Sequence, residues 1–282
     1  MPYYYGDYYN NSIVGSIYND TIWSYEGNDS VWGGDASDQL IGGSGDDRLI
    51  GGNGGGEYDD YYGNDTLWGE AGNDTLWGEG GNDQLLGGFD YDQLIGGSGE
   101  DTLWGGEASD TLWGNDGNDQ LIGGDGGIYE TDFYGNDQLI AGNGNDTLWG
   151  EGGNDTLWGE GGNDLLIASS GNDSLYGGGV VYDSYEYDTL TGGVGADKFI
   201  LGDSYSYYYQ GSGYAVITDF NYVEGDKLQM KSPSTNYSEL DINFGVGSAA
   251  LDTGVYNNGD LIAILQDISG GNFILELDTT FV

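Results

Sequence analysis

Aspartate recurs at a nine-residue interval through most of the chain. It stands at Asp20, Asp29, Asp38, Asp47, Asp65, Asp74, Asp83, Asp92, Asp101, Asp110, Asp119, Asp137, Asp146, Asp155, Asp164, Asp173, Asp188 and Asp197, with three longer steps. A glycine-rich segment such as Gly42-Gly43-Ser44-Gly45-Asp46 precedes each one, and a triplet such as Thr75-Leu76-Trp77 follows it. Carboxylates beside glycine-rich turns are the donor set of a hard divalent cation, which takes about six to eight oxygens from carboxylates and carbonyls. Only a backbone free of side chains turns tightly enough to aim several carbonyls at one point. Acid-base or thiol catalysis has little to work with, because the chain has no His and no Cys and its aspartates are absorbed by the turns. The expectation is a protein that is not an enzyme.

Charge points the same way. Four basic residues face 49 acidic ones, a net charge of -45, and self-repulsion on that scale opposes a compact state unless a cation neutralises it. Nucleic acid and anionic membranes are bound through clustered Lys and Arg, so neither is expected as a partner. No apolar run reaches the length of a membrane span. With 58 glycines and only two prolines, the composition is neither collagen-like nor that of an ordinary globular domain.

The elements that position the aspartates follow from the period. Each nine-residue unit reads as a turn plus a very short strand, and two units make one 18-residue coil whose strands stack in parallel on those of the next coil. Side chains alternate faces along a strand. The residue two places after each Asp therefore points inward, leaving a core one aliphatic residue thick. So thin a core calls for support from ions in the turns.

These units resemble the RTX, or haemolysin-type, calcium-binding repeat G-G-x-G-x-D-x-apolar-x, matched from about Asn11 to Ile200. The resemblance implies an all-β parallel β-roll, a right-handed solenoid of 18-residue coils, with calcium between adjacent turns on the same edge. It implies that the aspartates named above are the ligands, each ion being shared by the Asp of two successive coils. About 16 such shared sites would bring the charge from -45 to about -13.

Departures from the pattern carry their own expectations. Asn11 stands at the Asp position of an extra first turn and brings no charge, so that turn reads as an N-terminal cap within a Tyr-rich segment 1–19. Glu70, Glu79, Glu151 and Glu160 replace the second glycine of their turns, either as solvated carboxylates or as extra ligands. Weaker glycine patterns near Phe89 and Ala108 predict weak or empty sites there.

Within the roll, 20–200, the longer steps predict loops inserted into turns near 55–63, 127–135 and 179–187. For the first two the rival count has degenerate units, with Gly56 and Ile128 at Asp positions. The loop reading places Trp23, Trp68, Trp104 and Trp149 on one face, alternating with Ile41, Leu86 and Ile122. Trp32, Trp77, Trp113 and Trp158 then share the other face, alternating with Ile50, Ile95 and Ile140. These outward stripes either brace the sheets or make contacts with other molecules.

From 201 to 282 the period stops, and runs such as Asp260–Gln266 and Asn272–Asp278 read as strands of a small β cap. There Asp219 and Asp226 are either further calcium ligands or turn aspartates. The closing residues Leu277 to Val282 are similar to the uncleaved C-terminal signal of type I secretion substrates, and Met1 to Tyr9 has no cleavable-signal pattern. A secreted, extracellular or cell-surface location is expected. Because the chain begins with Met1 and an apparent cap, a complete protein is favoured over the RTX tail of a larger secreted enzyme or toxin. The preferred role is a calcium-rigidified structural protein that self-assembles into a surface layer or filament. A glycan-binding adhesin module, for which cell-surface polysaccharide is the partner, is the alternative. An ice-binding solenoid fits poorly, since its Thr rows are interrupted by Gln and bordered by Trp.

Overall fold

The structure is a computed structural model describing residues 2–52, 63–124, 135–178, 186–201, 209, 213–221, 223–229, 237–242, 252–257 and 260–266. It contains two compact units, Met1–Gly144 and Asn145–Val282. The described segments of both are built on β-strands, numbered here along the chain.

In the first unit, one parallel sheet is made of β1 (Tyr3–Asp7), β3 (Thr21–Glu26), β5 (Gln39–Ser44), β7 (Thr66–Ala71), β9 (Gln84–Phe89), β11 (Thr102–Gly106) and β13 (Gln120–Gly124), neighbours in that order. The other is made of β2 (Ser12–Val14), β4 (Ser30–Trp32), β6 (Arg48–Gly52), β8 (Thr75–Gly80), β10 (Gln93–Ser98), β12 (Thr111–Asp116) and β14 (Gln138–Asn143). Successive strands alternate between the sheets, which is the parallel β-roll expected from the period. Residues 3–14 are themselves a coil of it, since β1 and β2 pair in register with β3 and β4.

The second unit repeats the plan. One sheet holds β15 (Thr147–Gly152), β17 (Leu165–Ser170), β19 (Tyr187–Val194) and β21 (Tyr214–Ile217). The other holds β16 (Thr156–Gly161), β18 (Ser174–Gly178), β20 (Lys198–Ile200) and β22 (Lys227–Gln229). Beyond β21 the first sheet continues with β25 (Asp260–Leu265), still parallel, then turns antiparallel through β24 (Asp252–Asn257) and β23 (Tyr237–Ile242). The expected strand Asn272–Asp278 lies outside the described residues, as does the C-terminal signal.

Strands within the rolls mostly run five or six residues rather than the three expected, because pairing continues into the glycine half: Gly97 pairs with Glu79, for example. Inside, the residue two places after each Asp forms the core. Leu40, Leu67, Leu85 and Leu103 in one sheet, and Leu49, Leu76, Leu94 and Leu112 in the other, are wholly inaccessible.

Register decides between the two counts. Trp23 pairs with Ile41, and Ile41 with Trp68, so Trp68 shares a sheet with Trp23. The row continues through Leu86, Trp104 and Ile122; across the other sheet it runs Trp32, Ile50, Trp77, Ile95, Trp113 and Ile140. Each long step in this unit therefore advances the roll by a single turn. The inserted segments lie largely outside the described residues.

Turn glycines two places before the ladder aspartates carry φ angles that side chains resist, such as +145° at Gly117 and +131° at Gly99. Ala36, Asp90 and Ala108 occupy the same place with φ near the left-handed helical value, 71°, 76° and 76°. A side chain thus enters only where the turn has changed shape. A methyl group on Gly117 would run into the Gly99 carbonyl of the preceding coil. Gly117→Ala is accordingly expected to cost about 1–3 kcal/mol, read as a lower denaturation midpoint at saturating calcium; an unchanged midpoint would show that the turn relaxes freely.

Candidate metal centre

Every one of the 18 repeat aspartates, from Asp20 to Asp197, is buried, none more than 3% exposed. Stacking of the coils explains their arrangement. The amide of each ladder Asp donates to the carboxylate Oδ1 of the Asp one coil later. Along one edge of the first unit this links Asp20, Asp38, Asp65, Asp83, Asp101 and Asp119 at 2.7–2.8 Å. Along the other it links Asn11, Asp29, Asp47, Asp74, Asp92, Asp110 and Asp137 at 2.6–2.8 Å. In the second unit, Asp146, Asp164 and Asp188 form one ladder, and Asp155, Asp173, Asp197 and Asp226 the other.

The second oxygen is what remains. Oδ2 of Asp38, Asp47, Asp65, Asp74, Asp83, Asp92, Asp101 and Asp110 is buried with no hydrogen-bond partner, as is that of Asp29, Asp164, Asp173 and Asp197. It does not face empty apolar space. A methyl group placed on Gly78 would meet Oδ2 of Asp83 and, at 2.7 Å, the carbonyl of Gly96 in the next coil. The same pairing joins Asp74 with Gly87, Asp92 with Gly105, and Asp164 with Gly177. Two lone-pair oxygens aimed at one region with no donor between them repel unless a cation lies there. The donors are all oxygen, which suits a hard ion.

Electrostatics agrees with that geometry. Burial pushes the carboxyls up, partly offset by the ladder amides and reinforced by neighbouring carboxylates: Asp38 and Asp74 to about 7, Asp65 and Asp101 to about 8, and Asp92 to about 9. Such groups hold protons near neutrality unless something positive takes their place.

A family profile, the RTX calcium-binding nonapeptide repeat, matches residues 5–40, 32–55, 59–94, 95–127, 132–166, 158–179 and 180–204. The chain belongs to this RTX repeat family. Comparison with curated proteins gave no match. Membership makes calcium the cation that these repeats bind.

Several features of the RTX turns were open from sequence. Glu70, Glu79 and Glu160 point into solvent while their backbone takes the second-glycine conformation, φ 78°, 75° and 70°; Glu151, φ 75°, is half-buried. Among the described residues no three acidic side chains gather into one metal-holding cluster, so an ion held at a rung would take the rest of its donors from backbone carbonyls. At the altered turns of Asp90 and Ala108, Asp92 and Asp110 nevertheless keep their ladder bonds and unpartnered oxygens. Asn11 stands first in its ladder, its backbone amide on Asp29 and its side-chain amide group bonded to Asp7.

Near the C-terminal end the carboxylates are held differently. Asp226 takes the next ladder position, and both its oxygens are used, by the amides of Asp197 at 3.0 Å and Asn221 at 2.8 Å. Asp219 accepts from the amides of Gly192 and Gly193 at 3.0 and 2.6 Å. Asp188 receives the hydroxyl of the buried Tyr209 on Oδ2. Burial and the surrounding carboxylates raise that phenol well above its ordinary value, so it remains a donor. The sequence signal for Asp226 was its own repeat-like Asp226-Lys227-Leu228; nothing periodic pointed to Tyr209.

Proposed function

We propose that the chain is an extracellular structural protein, stiffened by calcium in its turns, that self-associates into a surface layer or filament. The ladder aspartates from Asp20 to Asp197, Asp188 apart, are the carboxylates assigned to the ions, together with glycine carbonyls of the next coil. Bound calcium supplies the positive charge that the facing oxygens lack. RTX repeats are typical of type I secreted proteins, which supports export to a medium rich enough in calcium to fill the turns.

One observation carries the self-association: the outer faces of both sheets of the first unit bear alternating indole and aliphatic rows over a core that is already closed. Leu67, Leu76, Leu103 and Leu112 fill the interior, so Trp68, Trp77, Trp104 and Trp113 are half-buried on the outside, and Trp32 is 50% exposed. Exposed Tyr3 and Tyr5 stack on Trp23, with centroids 6.1 and 5.4 Å away, and extend the aromatic surface. Rows of this kind on opposite faces propagate contacts in an open array.

Some indoles are also braced internally, for Arg48 lies over Trp77 at 4.6 Å and Tyr176 stacks on Trp158 at 5.3 Å. Replacing Trp77 and Trp113 together with Ser separates the two roles. Calcium-dependent β structure should persist while light scattering and electron microscopy show assembly reduced several-fold. Unchanged assembly would leave these residues as braces alone.

A second reading, glycan binding, is favoured by a cleft of about 620 Å3 whose lining includes Trp23, Trp68, Ile41, Gln39, Tyr8 and Tyr25. Trp23 and Trp68 lie two strands apart, about 10 Å, with polar Gln39 and Glu26 at hand for hydroxyls. Saturable binding of neutral polysaccharide by a non-assembling protein would favour this reading over the first.

A further inference from the structure

Asp188 departs from the pattern that makes rungs such as Asp83 and Asp164 cation sites. At Gly78, which follows Trp77, an added methyl meets Oδ2 of the next ladder Asp and the carbonyl of the next coil. Gly177 follows Tyr176 in the same place of its own unit. A methyl there meets Oδ2 of Asp188, at 2.7 Å, but the other oxygen is the Tyr209 hydroxyl. A carbonyl is an acceptor and leaves the carboxylate unmatched. A hydroxyl brings its own proton. Tyr209 is 2% exposed and its hydroxyl donates to Oδ2, while Oδ1 of Asp188 accepts from the Asp164 amide at 2.8 Å. Asp188 is therefore satisfied on both oxygens by the chain itself, unlike Asp164 immediately before it, whose Oδ2 is unpartnered.

We infer that the Tyr209 hydroxyl occupies the cation position at the Asp188 rung, so that Asp188 holds a phenol where its fellows hold an ion and the column on that edge ends there. Tyr209 is thus the residue that keeps calcium from this rung. A covalently supplied donor serves well at this place: β21 continues the sheet beyond β19 but sets Ala215 opposite Asp188, so no further carboxylate follows on this edge. The inference rests on the reading of the ladder as a calcium site, and the experiment keeps the two apart.

Bound calcium is counted on the full chain by equilibrium dialysis at saturating metal, with folding checked by circular dichroism, for Asp188→Asn beside Asp101→Asn. Asp101→Asn should lose at least one ion and Asp188→Asn none. Equal loss from both would overturn the role given to Tyr209. No loss from Asp101→Asn would overturn the ladder reading, and this inference with it. Should Asp188→Asn fail to fold, Tyr209→Gly serves instead: opening the space should add one ion to the count, and an unchanged or lower count would overturn the inference.

Discussion

Chelation of calcium is expected to convert the folded chain into a disordered one, with the β signal returning when calcium is restored. The first unit shows why. Its interior is a single line of aliphatic side chains per sheet, Leu40, Leu67, Leu85 and Leu103 on one side and Leu49, Leu76, Leu94 and Leu112 on the other. Around that line lie buried carboxylates whose Oδ2 atoms face carbonyls with no donor between them. An ionised group buried without a partner costs several kcal/mol, and here the cost recurs at rung after rung in a chain of charge -45. Calcium removes that cost and binds only the folded arrangement, so its binding free energy becomes folding free energy. The loss of ellipticity should be nearly complete, and the protein should become open to proteases. A roll that stays folded and protease-resistant in excess chelator would show that the coils hold together through backbone pairing and leucine packing alone.

Acid should partly rescue the protein that chelator has unfolded. In the unfolded chain an aspartate titrates near 3.9, whereas burial raises the folded values to about 7 for Asp38 and Asp47, about 8 for Asp65 and about 9 for Asp92. Between those limits the folded, ion-free roll binds more protons than the unfolded chain, so its stability falls as pH rises. The contribution is fully present below the unfolded value and is lost on passing upward through the folded ones. Lowering the pH from about 8 to about 5 in chelator should therefore restore β structure. With calcium present the trend reverses, because protons and metal compete for the same carboxylates and calcium affinity declines on acidification. Two circular dichroism titrations, with chelator and at limiting calcium, should thus run in opposite directions. Parallel curves would mean that the buried carboxyls are not the groups governing folding.

Much of this was legible because a repeat states the same physical constraint many times. A carboxylate every nine residues after a glycine turn indicated the edge, and the alternation of faces in a strand put Leu76 inside and Trp77 outside. The pairing of Trp with an aliphatic residue in the next coil even carried the register across the insertion before Asp65. What escaped were features with no period. Strand length was underestimated, since pairing in a stack depends on the neighbouring coil rather than on the local triplet, as Gly97 and Glu79 show. Tyr209 lies in a Tyr-rich run in which no single residue stands out, and only the folded chain shows its hydroxyl on Asp188. Whether Asp226 continued the ladder was equally open, for the segment around it lacks the repeat's glycines although its Asp226-Lys227-Leu228 has the right form.

The ladder bonds join aspartates 18 residues apart in most places, but 27 apart at Asp38 and Asp65 or at Asp110 and Asp137, and 24 apart at Asp164 and Asp188. Each bond nevertheless advances the stack by one step. Position in this protein is therefore digital: it is measured in rungs, and sequence length between rungs is a free variable that leaves the phase of both sheets untouched. Turns are consequently ports at which a peptide of new composition could be spliced without disturbing a strand. A comparison between such chains should align rung with rung, because one that counts residues would set indoles against the wrong neighbours after the first insertion.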